Sequence, residues 1–362
     1  MLFISYISVN IEIKEIFSMD AGKGSEMKVL VLGGAGFIGR SAVAALVARG
    51  HQVVIGTRRP SRANSGEAVA ATRAEKLELH RLPHSHDWLE RVAPYDVIVN
   101  CAGILRERWG ESFDVVYRQT PVAIAEACAT RGKRFLHVTA LGLSASAGSR
   151  FITAKLAGER GIAAVAGDSC IVRPSLLDGR DGFGARWIRR VSQWPVHFIP
   201  ADANGRLAPL QVHDLGEAIA ALCTCPRDSL PASVELGGET HYDMAQYLRA
   251  LRVSSRPALP VRVPAWVVRA CAHLLDVVHL TPLSWGHVEL MRRDNVPRRG
   301  DAGALRHWLG RAPLPAGARS TGSLPTSAPA GGIDTAPAMA ATARFTSAPV
   351  RSASAPGRRE AG

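Results

Sequence analysis

The chain has 362 residues, 47% of them apolar, with 44 Lys and Arg against 31 Asp and Glu and a formal charge of +13. Residues 311–362 hold six Arg against Asp334 and Glu360, so the rest keeps about +9. There the arginines stand singly or in pairs, with no basic stripe interleaved with aromatics, which speaks against nucleic acid and for a surface that attracts small anions.

The first 26 residues mix apolar with polar and charged side chains (Asn10, Glu12, Lys14, Glu15) and lack the basic n-region of a secretory signal. Met27, one residue before the first good strand, points to an overlong gene start. Six cysteines (Cys101, Cys128, Cys170, Cys223, Cys225, Cys271) lie mostly in apolar stretches without zinc-knuckle spacing. They read as reduced, buried thiols in a cytoplasmic protein, with no metal site. No uncharged apolar run reaches the length of a membrane span.

Lys28–Gly39, KVLVLGGAGFIG, reads as an apolar strand, a glycine-rich turn and the start of a helix that continues through Val43, Leu46 and Val47. Gly33 lets the chain turn off the strand, Gly36 lets the backbone approach a pyrophosphate, and Gly39 permits close packing. The N–H groups around Phe37 and Ile38 then face the anion. This context makes a dinucleotide fingerprint of the glycine spacing. A second strand, His51–Gly56, ends in Arg58 and Arg59. An acidic residue at that place would bind the ribose hydroxyls of NAD, whereas arginine accommodates the extra phosphate of NADP, so NADP(H) is expected ahead of NAD(H).

Leu77–Leu82 reads as a third strand, Asp87–Val92 as a short helix, and Asp96–Val99 as a fourth strand opening into Asn100, Cys101, Ala102 and Gly103, small enough to lie under an adenosine. Thr120–Thr130 reads as a helix, Arg134–Val138 as a fifth strand ending at Thr139, Arg150–Ala164 as a helix, and Ser169–Arg173 as a sixth strand stopped by Pro174. The alternation is that of a parallel sheet with helices on both faces. Residues 175–207 read as a cleft-lining loop in which Asp178, Asp181 and Arg186 are candidate substrate contacts. Leu207–Val212 returns to the core, and Asp214 is expected to cap a helix to Cys223. Ser233–Leu236 is a short strand, followed by helices over Tyr242–Leu251, Pro264–Val278 and Ser284–Arg293. From Gly310 onward the Ala/Pro/Ser/Arg composition predicts disorder. The expected organisation is a non-native-looking or disordered extension over 1–26, a dinucleotide-binding domain over 27–225 to which 175–207 adds part of the substrate cleft, a small substrate lobe over 226–309 and a disordered tail over 310–362.

A carbonyl reductase of this build needs a hydroxyl to orient the substrate oxygen, a phenol to donate the proton, and a lysine one helical turn on to lower the phenol's pKa and hold the nicotinamide ribose. Thr139 and Lys155 supply the first and third. Lys155 is one of four lysines after Met27. Phe151 stands where the phenol belongs.

With these residues in place the chain resembles the atypical or extended short-chain dehydrogenase/reductase superfamily, of NAD-dependent epimerase/dehydratase type. The resemblance rests on Gly33/Gly36/Gly39, Asn100–Gly103, Thr139–Gly142, Phe151-x-x-x-Lys155 and Arg173-Pro174-Ser175. Val212–Leu215 and Arg292–Val296 are similar to the branch that includes the nucleotide-binding accessory subunit of respiratory complex I. The resemblance implies a Rossmann-type, doubly wound α/β fold with a smaller C-terminal substrate lobe, and a nicotinamide dinucleotide as ligand. It implies hydride transfer to or from a small organic substrate, with Thr139 and Lys155 as catalytic residues and Pro174 near the cofactor. It also admits peripheral association with a membrane protein complex. The family's catalytic tyrosine is Phe151 here, and Arg81-Leu82-Pro83 stands where an adenine-binding aspartate is frequent. A nucleotide-binding protein without turnover, with a structural, assembly or sensing role, is therefore the alternative.

Overall fold

Strand β1 (Lys28–Leu32) is buried on both faces, and its alternation divides the core in two. Val29 and Val31 face one hydrophobic cluster, Leu30 and Leu32 the other. A strand apolar on both sides belongs in the middle of a sheet covered by helices on each face. The computed structural model describes residues 26–60, 72–278 and 284–317, all within the compact unit Met1–Ser320.

Helix α1 (Phe37–Ala48) follows β1, then come β2 (Gln52–Thr57), β3 (Arg73–Lys76), α2 (His86–Val92) and β4 (Val97–Asn100). A π-helical turn over Val115–Gln119 leads into α3 (Thr120–Arg131), followed by β5 (Arg134–Val138), α4 (Arg150–Ala164) and β6 (Ser169–Pro174). Beyond β6 lie β7 (Leu177–Asp178), α5 (Phe183–Val191), β8 (Val196–Pro200), β9 (Leu210–Gln211), α6 (Val212–Thr224) and β10 (Ser233–Leu236). The described chain closes with α7 (Met244–Ala250), β11 (Leu259–Val263), α8 (Ala265–Val278), α9 (Trp285–Leu290) and α10 (Ala304–Leu309).

Seven parallel strands form the main sheet in the order β10-β6-β5-β4-β1-β2-β3. Chain order reverses beside β1, which creates a crevice at the carboxyl ends of β1 and β4. The fold is the expected Rossmann-type α/β sheet. One face packs against α1, α6 and α10, the other against α2 and α3. Two-stranded parallel pairs, β7–β9 and β8–β11, lie outside the main sheet. Ile199, Leu207, Met244, Tyr247, Leu248 and Leu251 form a separate cluster beneath them.

Three expectations need correction. Leu77–Leu82 is not a strand. The edge strand is Arg73–Lys76, and a 3-10 turn over Leu79–Arg81 follows. An edge strand needs a partner on one side only, so the polar stretch serves, while Leu77 turns inward to 6% exposure. Residues 175–207 are not one loop, since they contain α5 and β8. Ala185 is buried and Ile188 packs on the outer cluster, an apolar stripe hidden among arginines.

The tail expectation also fails in its first residues. Arg311 donates to Asp214 and Glu217 at 2.7 and 2.9 Å, the Leu314 N–H donates to Asp214 at 2.6 Å, and the Gly317 N–H donates to Asp178 at 2.7 Å. Asp214, fully buried, therefore anchors the segment 311–317, and Gln211 stands at the N-cap position of α6 instead. The expectations for residues 1–25 and 318–362 lie outside the described residues.

Candidate dinucleotide site

The predicted site residues gather at the carboxyl edge of the main sheet. Gly33 follows β1, Arg58 follows β2, Cys101 follows β4, Thr139 follows β5 and Pro174 ends β6. Gly33 has φ +72°, and a Cβ there would lie 2.8 Å from the Ala102 Cα, so the glycine-rich turn rests directly on the Cys101-Ala102-Gly103 segment. Gly39 is in contact with the Gly33 carbonyl and closes the turn on itself. Gly36 differs. A Cβ there would meet only the Gly33 carbonyl oxygen, at 3.0 Å, which leaves the other side of its backbone open.

Gly36 is also the N-cap of α1, with no side-chain cap and no acidic residue in the first turn. The N–H groups of Phe37, Ile38 and Gly39 have no acceptors within the helix, and the helix dipole favours an anion there. The Phe37 ring packs where Cβ atoms on Gly179 or Gly182 would stand, at 2.8 Å, and Ile38 packs on the core. Both side chains hold the turn while their backbone faces the crevice. The arrangement fits a pyrophosphate.

Asn100 fixes the second segment. Its Oδ1 accepts from the Ala102 N–H at 3.1 Å, and its Nδ2 lies 3.2 Å from His137 Nδ1. Burial, reinforced by the charge of Lys155, pushes His137 down to about 3, so the imidazole is neutral. The Cys101 thiol is pushed up to about 12 by burial and contributes backbone rather than reactivity.

At the end of β2 the two arginines separate. Arg59 is exposed, with its N–H donating to Thr57 Oγ1 at 3.3 Å. Arg58 Nη1 donates to Glu111 Oε1, and His80 Nδ1 lies 3.6 Å from the same oxygen. Glu111 is buried and comes from a turn closed by backbone bonds with Arg108. Neither Glu111 nor His80 was among the expected site residues. They are remote from Arg58 in sequence, and no spacing connects them.

The Lys155 end of the crevice is built from α4, β5 and the π turn. Ser149 caps α4, and Glu289 of α9 accepts from the Gly148 and Ser149 N–H groups at 2.8 and 2.9 Å. Lys155 is buried at 7% exposure, with Nζ 4.3 Å from the Tyr117 ring centroid and 5.4 Å from that of Phe151. Burial pulls its pKa down to about 8, against an opposing pull from Glu159. Phe151 is boxed by Phe113, Tyr117 and His287 at centroid distances of 5.6, 5.5 and 5.2 Å.

Tyr117 is the phenol nearest to this lysine by these contacts, yet it is occupied. Its O–H donates to the Ile104 carbonyl at 2.5 Å and accepts from the Ile104 N–H at 2.8 Å. Burial raises its pKa, against a smaller opposing pull from the Ile104 hydrogen bond. Thr139 Oγ1 is the opposite case, a buried hydroxyl without a hydrogen-bond partner. Such a group calls for a ligand oxygen or water.

Asn295 was expected only as part of a resembling segment. Its Nδ2 donates to the Leu141 carbonyl at 2.7 Å, and its Oδ1 accepts from Ser175 Oγ at 2.7 Å and the Leu176 N–H at 2.9 Å. The Leu141 N–H donates to the Pro174 carbonyl at 2.9 Å. Asn295 thereby locks the Thr139–Gly142 loop to the end of β6. Asp178, a candidate substrate contact, is instead consumed internally by Arg189, Gln211 and the Gly317 N–H. Asp181 lies 3.7 Å from Arg40. No group of metal-binding side chains occurs among the described residues.

Residues 29–234 match the model of the NAD dependent epimerase/dehydratase family. The chain is 26% identical over 202 residues to the mitochondrial NADH dehydrogenase [ubiquinone] 1 alpha subcomplex subunit 9 of Dictyostelium discoideum, which covers 55% of this chain and 56% of that protein. It is 26% identical over 203 residues to the ceramide reductase of Caulobacter vibrioides, covering 55% of this chain and 61% of that protein. The chain thus spans little more than half the length of these relatives. Among solved structures, the NADPH-dependent quinone oxidoreductase of Escherichia coli in complex with NADPH superposes with a TM-score of 0.61 at 13% identity, over 80% of this chain and 97% of that one.

Proposed function

Because the chain belongs to the NAD-dependent epimerase/dehydratase family, we propose that it is a nicotinamide-dinucleotide protein of oxidoreductase type that takes NADP(H) ahead of NAD(H). The open backbone at Gly36, under a helix N-terminus that carries no acid, is the observation that supports dinucleotide binding. Gly33, Gly36, Phe37, Ile38 and Gly39 hold the diphosphate, Cys101, Ala102 and Gly103 lie under the adenosine half, and Pro174 backs the nicotinamide side. Arg58, with Arg59 outside it, reads the 2′-phosphate. Residues 27–225 form the dinucleotide half, and 175–207 with 226–309 form the substrate side.

The bound dinucleotide supplies or accepts a hydride. Thr139 Oγ1 orients the oxygen of a small organic substrate, and Lys155 holds the nicotinamide ribose. The protein has no proton donor at the phenol's position, because Phe151 cannot ionise and the Tyr117 hydroxyl is held by Ile104 at both ends. Turnover therefore draws its proton from water or from the substrate itself.

The second reading is a dinucleotide holder without turnover, cytoplasmic and peripheral at the inner face of a membrane, where it assists a larger complex. The likeness to a complex I subunit supports it, as does the apolar box around Phe151. Titration with NADPH and NADH, followed by a carbonyl screen of the native protein and of Phe151→Tyr, separates the two. Turnover by the native protein supports the first reading. Turnover by the Tyr variant alone supports the second.

A further inference from the structure

We propose that the outward face of the β8–β11 pair, continued by the first turns of α8, is a docking surface for an anionic lipid bilayer. The register pairs Val196 with Leu259 and Phe198 with Val261, so alternate residues of both strands share a face. His197 and Ile199 point inward and are buried at 3% and 2% exposure. Val196, Phe198, Leu259, Val261 and Val263 take the outer face, with Phe198 57% and Leu259 63% exposed.

The patch extends beyond the strands through hydrogen bonds that fix its neighbours. The Leu259 N–H donates to the Pro195 carbonyl at 2.9 Å, Arg252 donates to the Trp194 carbonyl at 2.7 Å, and the Val253 N–H donates to Gln193 Oε1 at 3.1 Å. Exposed Trp194 and Val253 are thus held beside Leu259, and exposed Trp266 follows Val263 in the chain. Scattered apolar side chains on a surface need no explanation, but a contiguous set spanning two strands and a helix does.

Charge decides what covers it. The stretches 182–201 and 244–274 carry eight arginines and not one Asp or Glu. Arg189 is neutralised by Asp178, whereas Arg186, Arg190, Arg249, Arg256, Arg262 and Arg269 are exposed. A second copy of the chain would set these arginines against their own kind. Exposed Trp and Phe rings on stretches of chain that carry exposed arginine and no acid suit the headgroup level of a bilayer, where apolar burial and attraction to anionic lipid add together. No helix among the described residues is long and apolar enough to cross a membrane, so the contact would be peripheral. The inference is independent of whether a dinucleotide binds.

The test is co-sedimentation of the full chain with vesicles of phosphatidylcholine alone and of phosphatidylcholine with 30% phosphatidylglycerol. Binding to the anionic vesicles that weakens with salt is expected, with little on neutral ones. Phe198→Asp with Trp266→Asp should lower it at least tenfold, and Arg256→Glu with Arg269→Glu, the latter one helical turn from Trp266, should do the same, while the melting temperature stays near that of the native protein. If either pair unfolds the protein, Leu259→Asp alone serves, since its side chain projects into solvent. Absence of binding to anionic vesicles overturns the proposal. So does equal binding by the well-folded variants, which would locate the contact in the Arg-rich C-terminal residues. Self-association abolished by the same substitutions would assign the face to a second copy and also overturn it.

Discussion

The Lys155 ammonium lies 4.3 Å from the centre of the Tyr117 ring. The π face offers partial compensation for a charge buried without a bulk-water shell. The remainder is a cost, expressed in a pKa pulled to about 8 by burial. Under the proposed function the nicotinamide ribose would supply Lys155 with the polar partner that Phe151 does not.

Replacing Lys155 by Met should stabilise the unliganded protein at pH 7 while weakening dinucleotide binding about tenfold. A shift from 10.5 to about 8 corresponds to roughly 3 kcal/mol. A base held below its ordinary pKa disfavours the folded state fully below the folded value, and the penalty fades as pH rises toward the unfolded value. The stability gap between Lys155→Met and native protein should therefore be largest below about pH 8 and close by about pH 10.5. Denaturant unfolding across that range checks it; a gap independent of pH contradicts it.

Glu111 holds the arginine that would read a 2′-phosphate. Glu111→Gln should free Arg58 and shift selectivity toward NADPH about tenfold, whereas Arg58→Ala should weaken NADPH more than NADH. Each is read as a ratio of two dissociation constants. Equal effects on the two dinucleotides would remove the assignment of Arg58.

Asn295 satisfies the Leu141 carbonyl, the Ser175 hydroxyl and the Leu176 N–H at once. Asn295→Ala should cost about 1–3 kcal/mol, because the Leu141 carbonyl and the Leu176 N–H lose their partner while the Ser175 hydroxyl keeps the Asn295 main-chain carbonyl. It should also loosen dinucleotide binding through the Thr139–Gly142 loop. Urea unfolding with and without NADPH measures both effects.

Arg311→Met should destabilise the fold by about 2 kcal/mol by leaving the buried Asp214 short of its cation. Burial alone would raise the Asp214 pKa, but His213, Arg311 and the Leu314 N–H outweigh it and hold it below the ordinary value. A carboxylate so held stabilises above that ordinary value and loses the contribution as pH falls through the folded one. The difference between variant and native protein should accordingly narrow as pH drops below about 4.

The sequence made the carboxyl edge of the sheet legible where one local pattern carried the information. Val29–Leu32 followed by Gly33, Gly36 and Gly39 is both strand and phosphate turn, and Phe151 is set by its spacing from Lys155. What stayed hidden depends on residues far apart in the chain. Glu111 reaches Arg58, Asn295 reaches Leu141, and Arg311 reaches Asp214 across 53, 154 and 97 positions. Periodicity carries no trace of such pairs. The third strand differs from its expectation for a local reason, since Arg73–Lys76 has no apolar alternation and the leucines after it carry the strand-like pattern instead.

Calorimetric titration of the native protein and of Gly36→Val with NADPH tests the central claim most directly. Gly36 has φ −82°, which valine adopts, and its Cβ would meet only the Gly33 carbonyl oxygen, at 3.0 Å, so the variant should fold with a slightly lowered melting temperature while its side chain fills the space left for the diphosphate. The account predicts one NADPH per native chain and at least a hundredfold weaker binding by a variant that is still fully folded at the temperature of the titration. No binding of either nicotinamide dinucleotide by the native protein, or equal binding by both proteins, would contradict it.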